Sequence, residues 1–236
     1  LSDAYFGLGR IEDAIKLLAE VREGRLKVLG LNHHDTLDTT MDLAKRYLTQ
    51  TSGDHSAEAK SLLQGMVETR LRLQGPDNLK TKQAQMLWVL VMMRERVFSG
   101  QPPDETQVAE AARIAAEVLE MVRAEKGSQH PETIEALFEL AYHTPFSQLD
   151  KKISFAEEAF ALSRQVNGED HSYTLLTLVN LARFQFAAQK LEDAVLSYER
   201  AVPLCQKTYG NEHFFTMSSP WSSFRAMAVE RLRLRR

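Results

Sequence analysis

Histidine is the first residue type in this chain that could do chemistry, because an imidazole nitrogen can hold a metal ion or move a proton. Four histidines recur at long intervals, namely His33, His130, His171 and His213. If each lies in a different unit of a repeat, packed helices keep them about 10 Å apart, whereas zinc ligands must approach one ion to about 2 Å. His34 adjoins His33, but two adjacent residues of a helix do not face one ion, so both are expected at the surface. The sequence therefore predicts no metal site.

Carboxylate pairs and the single cysteine are the other candidates for catalysis. The pairs are Glu12-Asp13, Glu157-Glu158 and Glu192-Asp193. They are expected at helix starts or on solvated faces, where negative charge complements the helix dipole. Cys205 falls on an apolar stripe, which predicts a buried, unreactive thiol. No Gly-rich phosphate loop, Gly-x-Ser-x-Gly or His-Glu-x-x-His is present. We therefore predict that the chain is not an enzyme and uses no cofactor.

Composition narrows the class of protein further. The 236 residues carry a net charge of −3 and are 44% hydrophobic, which describes a folded chain without broad attraction to nucleic acid or to acidic membranes. No apolar run approaches the roughly 18 residues that span a bilayer. One cysteine cannot form an internal disulfide, and no Asn-x-Ser/Thr sequon occurs. These features favour a cytoplasmic protein.

The histidines belong to a spacing, Gly-x-x-His-x-x-Thr, that repeats through the chain. Its copies start at Gly30, Gly127, Gly168 and Gly210, and a fifth at Gly75 has Asn78 in place of the histidine. Glycine suits the left-handed residue after a helix, because it has no Cβ. His or Asn would then be the N-cap of the next helix, with the threonine at its third position. Pro131 follows His130 where proline is favoured, at the first helical position. The motif therefore predicts where one helix ends and the next begins.

The motif divides the chain into units of similar size. The glycines lie 45, 52, 41 and 42 residues apart, and apolar residues between them recur three or four apart, as on one face of a helix. Extra residues are expected in the turn within a pair, at 51–55 and 98–104. Pro145 should end its helix early. The chain is predicted to be all-α, with about eleven helices in a single array over 1–236. Its units are 1–29 (partial), 30–74, 75–126, 127–167, 168–209 and 210–236 (partial or capping).

These residues resemble tetratricopeptide repeats, in the long form found in the kinesin light chain. The resemblance rests on the Gly-x-x-His-x-x-Thr motif, on Leu181-Ala182 followed by Leu191-Glu192-Asp193-Ala194, and on Leu1 to Tyr5 with Gly9 and Ala14. It covers essentially the whole chain. It implies a right-handed α-solenoid of antiparallel helical hairpins, in which the first helix of each pair lines a concave groove.

In that family an asparagine before the Leu-Ala step often grips the backbone of a bound peptide. Asn180 matches that position, whereas its equivalents are Asp42, Leu87, Glu139 and Ser222. A hydrogen bond between helices is the alternative role for Asn180. The groove residues implied by the resemblance are Met41, Asp42, Lys45, Gln83, Met86, Phe138, Glu139, Tyr142, Leu176, Val179, Asn180 and Arg183, with Asp38 and Glu135 beside them.

The resemblance implies a non-enzymatic protein–protein interaction module that binds a peptide segment of a partner in the groove. The expected partner is a protein or peptide, not nucleic acid or a membrane. The alternative is a structural or regulatory arm of a larger multidomain signalling protein, acting through self-association or intramolecular regulation. The half-unit that opens at Leu1 without a methionine motivates this alternative. The basic residues 231–236 are either a contact for an anionic partner or a solvated helix end.

Overall fold

The computed structural model describes residues 11–49, 55–102 and 104–210, and no strand occurs among them. This part of the chain contains nine α-helices: α1 (Ile11–Leu29), α2 (His34–Thr49), α3 (Ser56–Gln74), α4 (Leu79–Phe98), α5 (Glu105–Lys126), α6 (Pro131–His143), α7 (Leu149–Asn167), α8 (Ser172–Ala187) and α9 (Leu191–Tyr209). A 3-10 helix, Phe146–Gln148, precedes α7. The predicted all-α class is confirmed.

Several predictions concern residues outside this description. They include the incomplete helices expected at the two ends of the chain, and the residues Leu1, Tyr5, Gly9, His213 and Ser222. The right-handed superhelical sense likewise stays a prediction.

The helices form two compact units, Leu1–Ile114 and Ala115–Arg236, with the boundary inside α5. In the first unit α1 packs on α2, α2 on α3, and α3 on α4. In the second unit α6 packs on α7, α7 on α8, and α8 on α9. Each stretch between two consecutive motif glycines therefore holds one pair of helices, as the spacing predicts.

The motif glycines end the helices with a positive φ. At Gly168, φ is 89° and ψ is 169°, and the amide still donates the last helical hydrogen bond to the carbonyl of Arg164 at 3.1 Å. The positive φ is as predicted, but ψ is extended rather than left-handed helical. Residues with a Cβ rarely adopt this combination of angles. The chain therefore leaves the helix in an extended direction towards the next N-cap.

The N-caps confirm the helix-start role of the motif histidines in the described residues. In His33, His130 and His171, ring Nδ1 accepts a hydrogen bond from the amide two residues later, at 3.2 Å in each case. In Asn78, Oδ1 accepts from two amides at 2.9 and 3.3 Å. The first amides of a helix have no partner within it, so each acceptor satisfies a donor that would otherwise be unpaired.

The threonine of the motif anchors the start of each helix in the core. The four described threonines are at most 1% exposed: Thr36, Thr81, Thr133 and Thr174. Thr133 Oγ1 donates to the carbonyl of Gly127 at 2.7 Å, which ties the two ends of the motif together. Eight residues after three of these threonines lie the fully buried Ala44, Ala141 and Ala182, and the fourth such position holds the half-buried Val89. Small side chains there allow the paired helices to approach closely.

The extra residues of the long second interval fall partly in the predicted turn and partly in helices. The described residues of the connection between α4 and α5 are 99–102 and 104. The two helices themselves have 20 and 22 residues, against 16 and 19 in α8 and α9. The added length thus extends the helices as well as the turn.

Helix α6 ends early, as Pro145 predicts, and a lysine caps it. It has 13 residues, and its last carbonyls have no donor within the helix. Lys152 of α7 is 1% exposed, and its Nζ donates to the carbonyls of Tyr142 and Thr144 at 2.5 and 2.7 Å. The same atom lies 4.5 Å from the ring centre of Phe184 and 4.9 Å from that of Phe146. The amide and hydroxyl of Thr144 both donate to the carbonyl of Leu140, and the buried cation adds donors for two further carbonyls at the end of α6.

Burial, with a smaller contribution from the positive charge of Arg183, lowers the pKa of Lys152 to about 8. Desolvation disfavours the charged form of a lysine, whereas the carbonyls and aromatic rings around Nζ favour it. At the end of α6, contacts with carbonyls and aromatic rings therefore offset part of the cost of burying the ammonium.

Loss of an N-cap acceptor should destabilise the chain. His171→Ala removes the acceptor for the amide of Tyr173, so we expect the free energy of unfolding to fall by about 1 kcal/mol. His171→Asn is the matched control, because Asn78 performs this role at the start of α4, and it should cost much less. Urea unfolding of the whole chain measures both variants. Equal losses in the two variants would contradict the cap.

The buried ammonium should give stability a distinctive pH dependence. Between about 8 and the ordinary pKa of 10.5, the unfolded chain retains the Lys152 proton that the folded chain has released. The free energy of unfolding therefore rises with pH in this window. Relative to Lys152→Met, which lacks the titrating group, the wild-type chain should gain at most about 3 kcal/mol. Urea unfolding at a series of pH values measures the difference, and a difference that stays constant with pH would show that the pKa is not lowered.

Candidate partner-binding surface

A contact between aromatic rings joins α6 and α8 in the second unit. The ring centre of Phe138 lies 5.8 Å from that of Tyr173 at an interplanar angle of 68°. It lies 6.1 Å from that of Tyr142, with the rings nearly parallel at 28°. Tyr142 is 49% exposed, and Phe138 and Leu176 are half-buried. We call the surface formed by Phe138, Glu139, Tyr142, Leu176, Asn180 and Arg183 the α6–α8 face.

Asn180 makes its hydrogen bonds within its own helix. Its Nδ2 donates to the carbonyl of Leu176 at 2.9 Å, and its Oδ1 accepts from Arg183 at 3.2 Å. Neither bond joins two helices, so these contacts do not support the alternative role of an inter-helix hydrogen bond. A helical asparagine can reach the carbonyl four residues back along its own helix. Asn180 is 4% exposed, whereas Arg183 is exposed. A side-chain amide has two donors and two acceptor positions, so the described bonds use half of this capacity.

Acidic groups border the aromatic rings. Glu139 Oε2 lies 3.2 Å from Nε2 of His143, which is 7% exposed. Burial, followed by the charges of Glu139 and Glu135, raises the pKa of Tyr173 well above its ordinary value. The phenol of Tyr173 therefore stays neutral beside two carboxylates.

Three of the predicted groove residues lie in the core instead. Val179 is 3% exposed, Met41 1% and Met86 7%. Val179 is covered because α7 and α9 pack on α8 from two sides, and Met41 belongs to the core of the first unit. These apolar side chains are removed from the candidate surface, whereas the polar Asn180, which is equally buried, is retained on the resemblance.

The remaining predicted residues of the first unit lie on α2 and α4. Asp42 is exposed, and Lys45 and Gln83 are half-buried. Asp38 accepts a hydrogen bond from Arg70 of α3 at 2.5 Å, and Arg70 is fully buried. Leu87, which is equivalent in sequence to Asn180, is 8% exposed. Among the four first helices described, α8 alone carries an asparagine at this position.

Within the described residues, one group has ligand atoms close enough together to hold a metal ion. The ligand atoms of His33, His34 and Asp35 lie within 4.8 Å of one another. The sequence-based argument that the two histidines cannot face one ion is wrong, because His33 is an N-cap and not a helical residue. However, Nδ1 of His33 already accepts from the amide of Asp35, and the positive end of a helix dipole disfavours a cation. The geometry therefore serves the start of α2.

The remaining candidates for chemistry lie as the sequence predicts. Cys205 is 2% exposed, and burial raises the pKa of its thiol to about 11, which suppresses the nucleophilic thiolate. The carboxylates of Glu157, Glu158 and Glu192 are exposed, and Glu158 forms an ion pair with Arg123. No helix in the described ranges is both long enough and apolar enough to span a bilayer.

Sequence reasoning missed Lys152 and Tyr173. Lys152 occupies a core position in the stripe of Leu149, Ile153 and Ala156. A lysine at such an apolar position, a few residues after a proline that ends a helix, is the sequence feature that could have predicted this role. Tyr173 had no comparable signal, because its half-burial depends on a ring from another helix.

A pocket of about 520 Å³ lies elsewhere, in the first unit. Its lining includes Arg22, Leu43, Tyr47, Glu58 and Leu62. It contains none of the predicted site residues, so it does not form part of the candidate surface.

Comparisons with known proteins agree with the helical hairpins. Two family models, both described as tetratricopeptide repeat, match residues 148–214 and 1–35. No curated protein sequence matches the chain significantly.

Solved structures share the fold over most of the chain. Two crystal structures from Podosopora anserina, named as kinesin light chain with nearly identical TPR-like repeats, have 21% identity and TM-scores of 0.57 and 0.55. Each alignment covers 88% of this chain, and 92% and 93% of those chains. BtubC (BKLC) from P. vanneervenii has 14% identity and a TM-score of 0.60, over 93% of this chain and 83% of that chain. Residues 1–35 and 148–214 therefore match tetratricopeptide repeats, and the chain shares the fold of solved kinesin-light-chain-like repeat structures.

Proposed function

We propose that the α6–α8 face binds an extended peptide segment of a partner protein. The observations that carry the proposal are the exposed ring of Tyr142 on α6 and the Asn180–Arg183 pair on α8, two helices joined by the ring contact of Phe138 with Tyr173. Tetratricopeptide repeats generally mediate protein–protein interaction. The proposal assigns that general role to a specific pair of helices.

The chemistry of the face suits a peptide. Aromatic rings with an exposed edge or face supply apolar contact area at a low entropy cost. Asn180 can donate to a backbone carbonyl and accept from a backbone amide, which recognises a peptide irrespective of its side chains. Arg183 is exposed and can donate several hydrogen bonds to carbonyl or carboxylate oxygens. The same face thus combines contact area with main-chain recognition.

The proposal extends to the first unit and to the whole chain. Asp42, Lys45 and Gln83 form a second candidate contact set on α2 and α4, and they would meet a different part of the same partner or another segment. We propose that residues 1–236 act as one interaction array without catalytic activity, and that it works in the cytoplasm.

Self-association is the second candidate function. Val28 is 82% exposed, and Leu29 and Leu31 beside it are 41% and 49% exposed. These three residues form an apolar patch at the end of α1, and such a patch favours a protein contact. Light scattering over a wide concentration range separates the two functions, because a strictly monomeric chain would exclude assembly through this patch.

A random-sequence peptide array probed with the folded chain tests the proposed function. The wild-type chain should bind a subset of sequences. The double variant Asn180→Ala with Arg183→Ala should lose at least about tenfold in binding, since both changes remove central contacts. The control is Lys151→Ala with Gln165→Ala, two exposed residues of α7, and it should bind as the wild type does. Absence of sequence-dependent binding, or an Asn180/Arg183 variant that binds normally, would overturn the proposal.

A further inference from the structure

The α6–α8 face has an acidic end. Glu135 and Glu139 are four residues apart on α6, so they share one side of the helix. Glu135 is exposed, and the side chain of Glu139 is 46% exposed. Phe138 lies between them in sequence and contacts the rings of Tyr142 and Tyr173. We call these five residues the acid–aromatic end.

Three positive groups of the described second unit lie near this end or farther along the face. His143 of α6 faces Glu139. Lys152 of α7 is buried and donates to the two carbonyls that end α6. Arg183 of α8 donates to Asn180 and is ten residues from Tyr173, which is about 15 Å along a helix. The face therefore changes from acidic to basic along its length.

The chemistry of the acid–aromatic end selects for a cation. A carboxylate forms charge-assisted hydrogen bonds with an ammonium or guanidinium, and aromatic rings attract the same groups. A glutamate or aspartate of a partner would be repelled by both Glu135 and Glu139. Lys152 provides a precedent in the same unit, because its Nζ lies 4.9 Å from the ring centre of Phe146 and 6.0 Å from that of Tyr142. Rings at this end of α6 thus already accommodate one ammonium on their buried side.

We propose that the acid–aromatic end binds a lysine or arginine side chain of the partner segment. This inference rests on the proposed function and names the chemistry of its ligand. Asn180 is seven residues from Tyr173, which is about 10 Å along α8. An extended peptide covers that distance in about three residues. The basic side chain therefore lies about three residues from the peptide bond that Asn180 holds.

Three matched peptide libraries on an array test this inference. They share the same random positions and differ at one fixed central position, which is lysine, alanine or glutamate. The wild-type chain should bind the lysine library about tenfold more strongly than the glutamate library. In Glu135→Gln with Glu139→Gln, the preference should fall about three- to tenfold, because two partly exposed charge contacts are lost. Added salt should weaken the preference of the wild-type chain.

The control variant is Glu157→Gln with Glu192→Gln, which neutralises two exposed carboxylates on α7 and α9 and should keep the full preference. Equal or stronger binding of the glutamate library, or a preference that survives in Glu135→Gln with Glu139→Gln, would overturn the inference. Binding that depends on Asn180 and Arg183 but ignores the fixed position would overturn this inference and leave the proposed function standing. Absence of any binding that depends on Asn180 and Arg183 would overturn both.

Discussion

The junction between one helix and the next is the constraint on which this structure depends. A glycine with positive φ ends a helix, and an imidazole or amide acceptor starts the following one within three residues. A buried threonine then fixes the rotation of the new helix against the core. Because the junction recurs with similar spacing, the apolar stripes of successive helices meet. Two of the buried clusters join a pair of helices to the first helix of the next pair, α2 and α3 with α4, and α6 and α7 with α8. Contacts between neighbouring helices therefore supply most of the stability.

The candidate surface arises where this regular scheme is interrupted. Pro145 stops α6 early, so the carbonyls at its end need a donor from another helix. Lys152 supplies that donor from a position that an apolar residue would normally fill. The ammonium holds Tyr142 and Phe146 at the end of α6, where both remain exposed. The interruption thus leaves two aromatic rings exposed at the end of α6, and Lys152 links this end to Phe184 of α8.

Local signals made the helices predictable, whereas burial was harder to predict. Gly168 and His171 act through neighbours only a few residues away, so their spacing sufficed to place helix ends. Val179 and Met41 were assigned to the groove by resemblance, but both are buried. Neighbouring helices pack on two sides of each of these helices, so they cover more of its surface than a single stripe of apolar residues indicates. Lys152 and Tyr173 depend on contacts between helices that no sequence spacing records. The ψ angles of the motif glycines likewise depend on the folded backbone, as does the convergence of the ligand atoms of His33 and His34.

Nitrogen-15 NMR of the histidine side chains tests the junction most directly. Nδ1 of His33, His130 and His171 accepts a hydrogen bond from a backbone amide, so each neutral ring should carry its proton on Nε2. Observation of that tautomer for the three rings, each with an unprotonated Nδ1, is the predicted result. Rings protonated on Nδ1, or rings that exchange between tautomers as a free imidazole does, would contradict the capped junctions and the array of hairpins built on them.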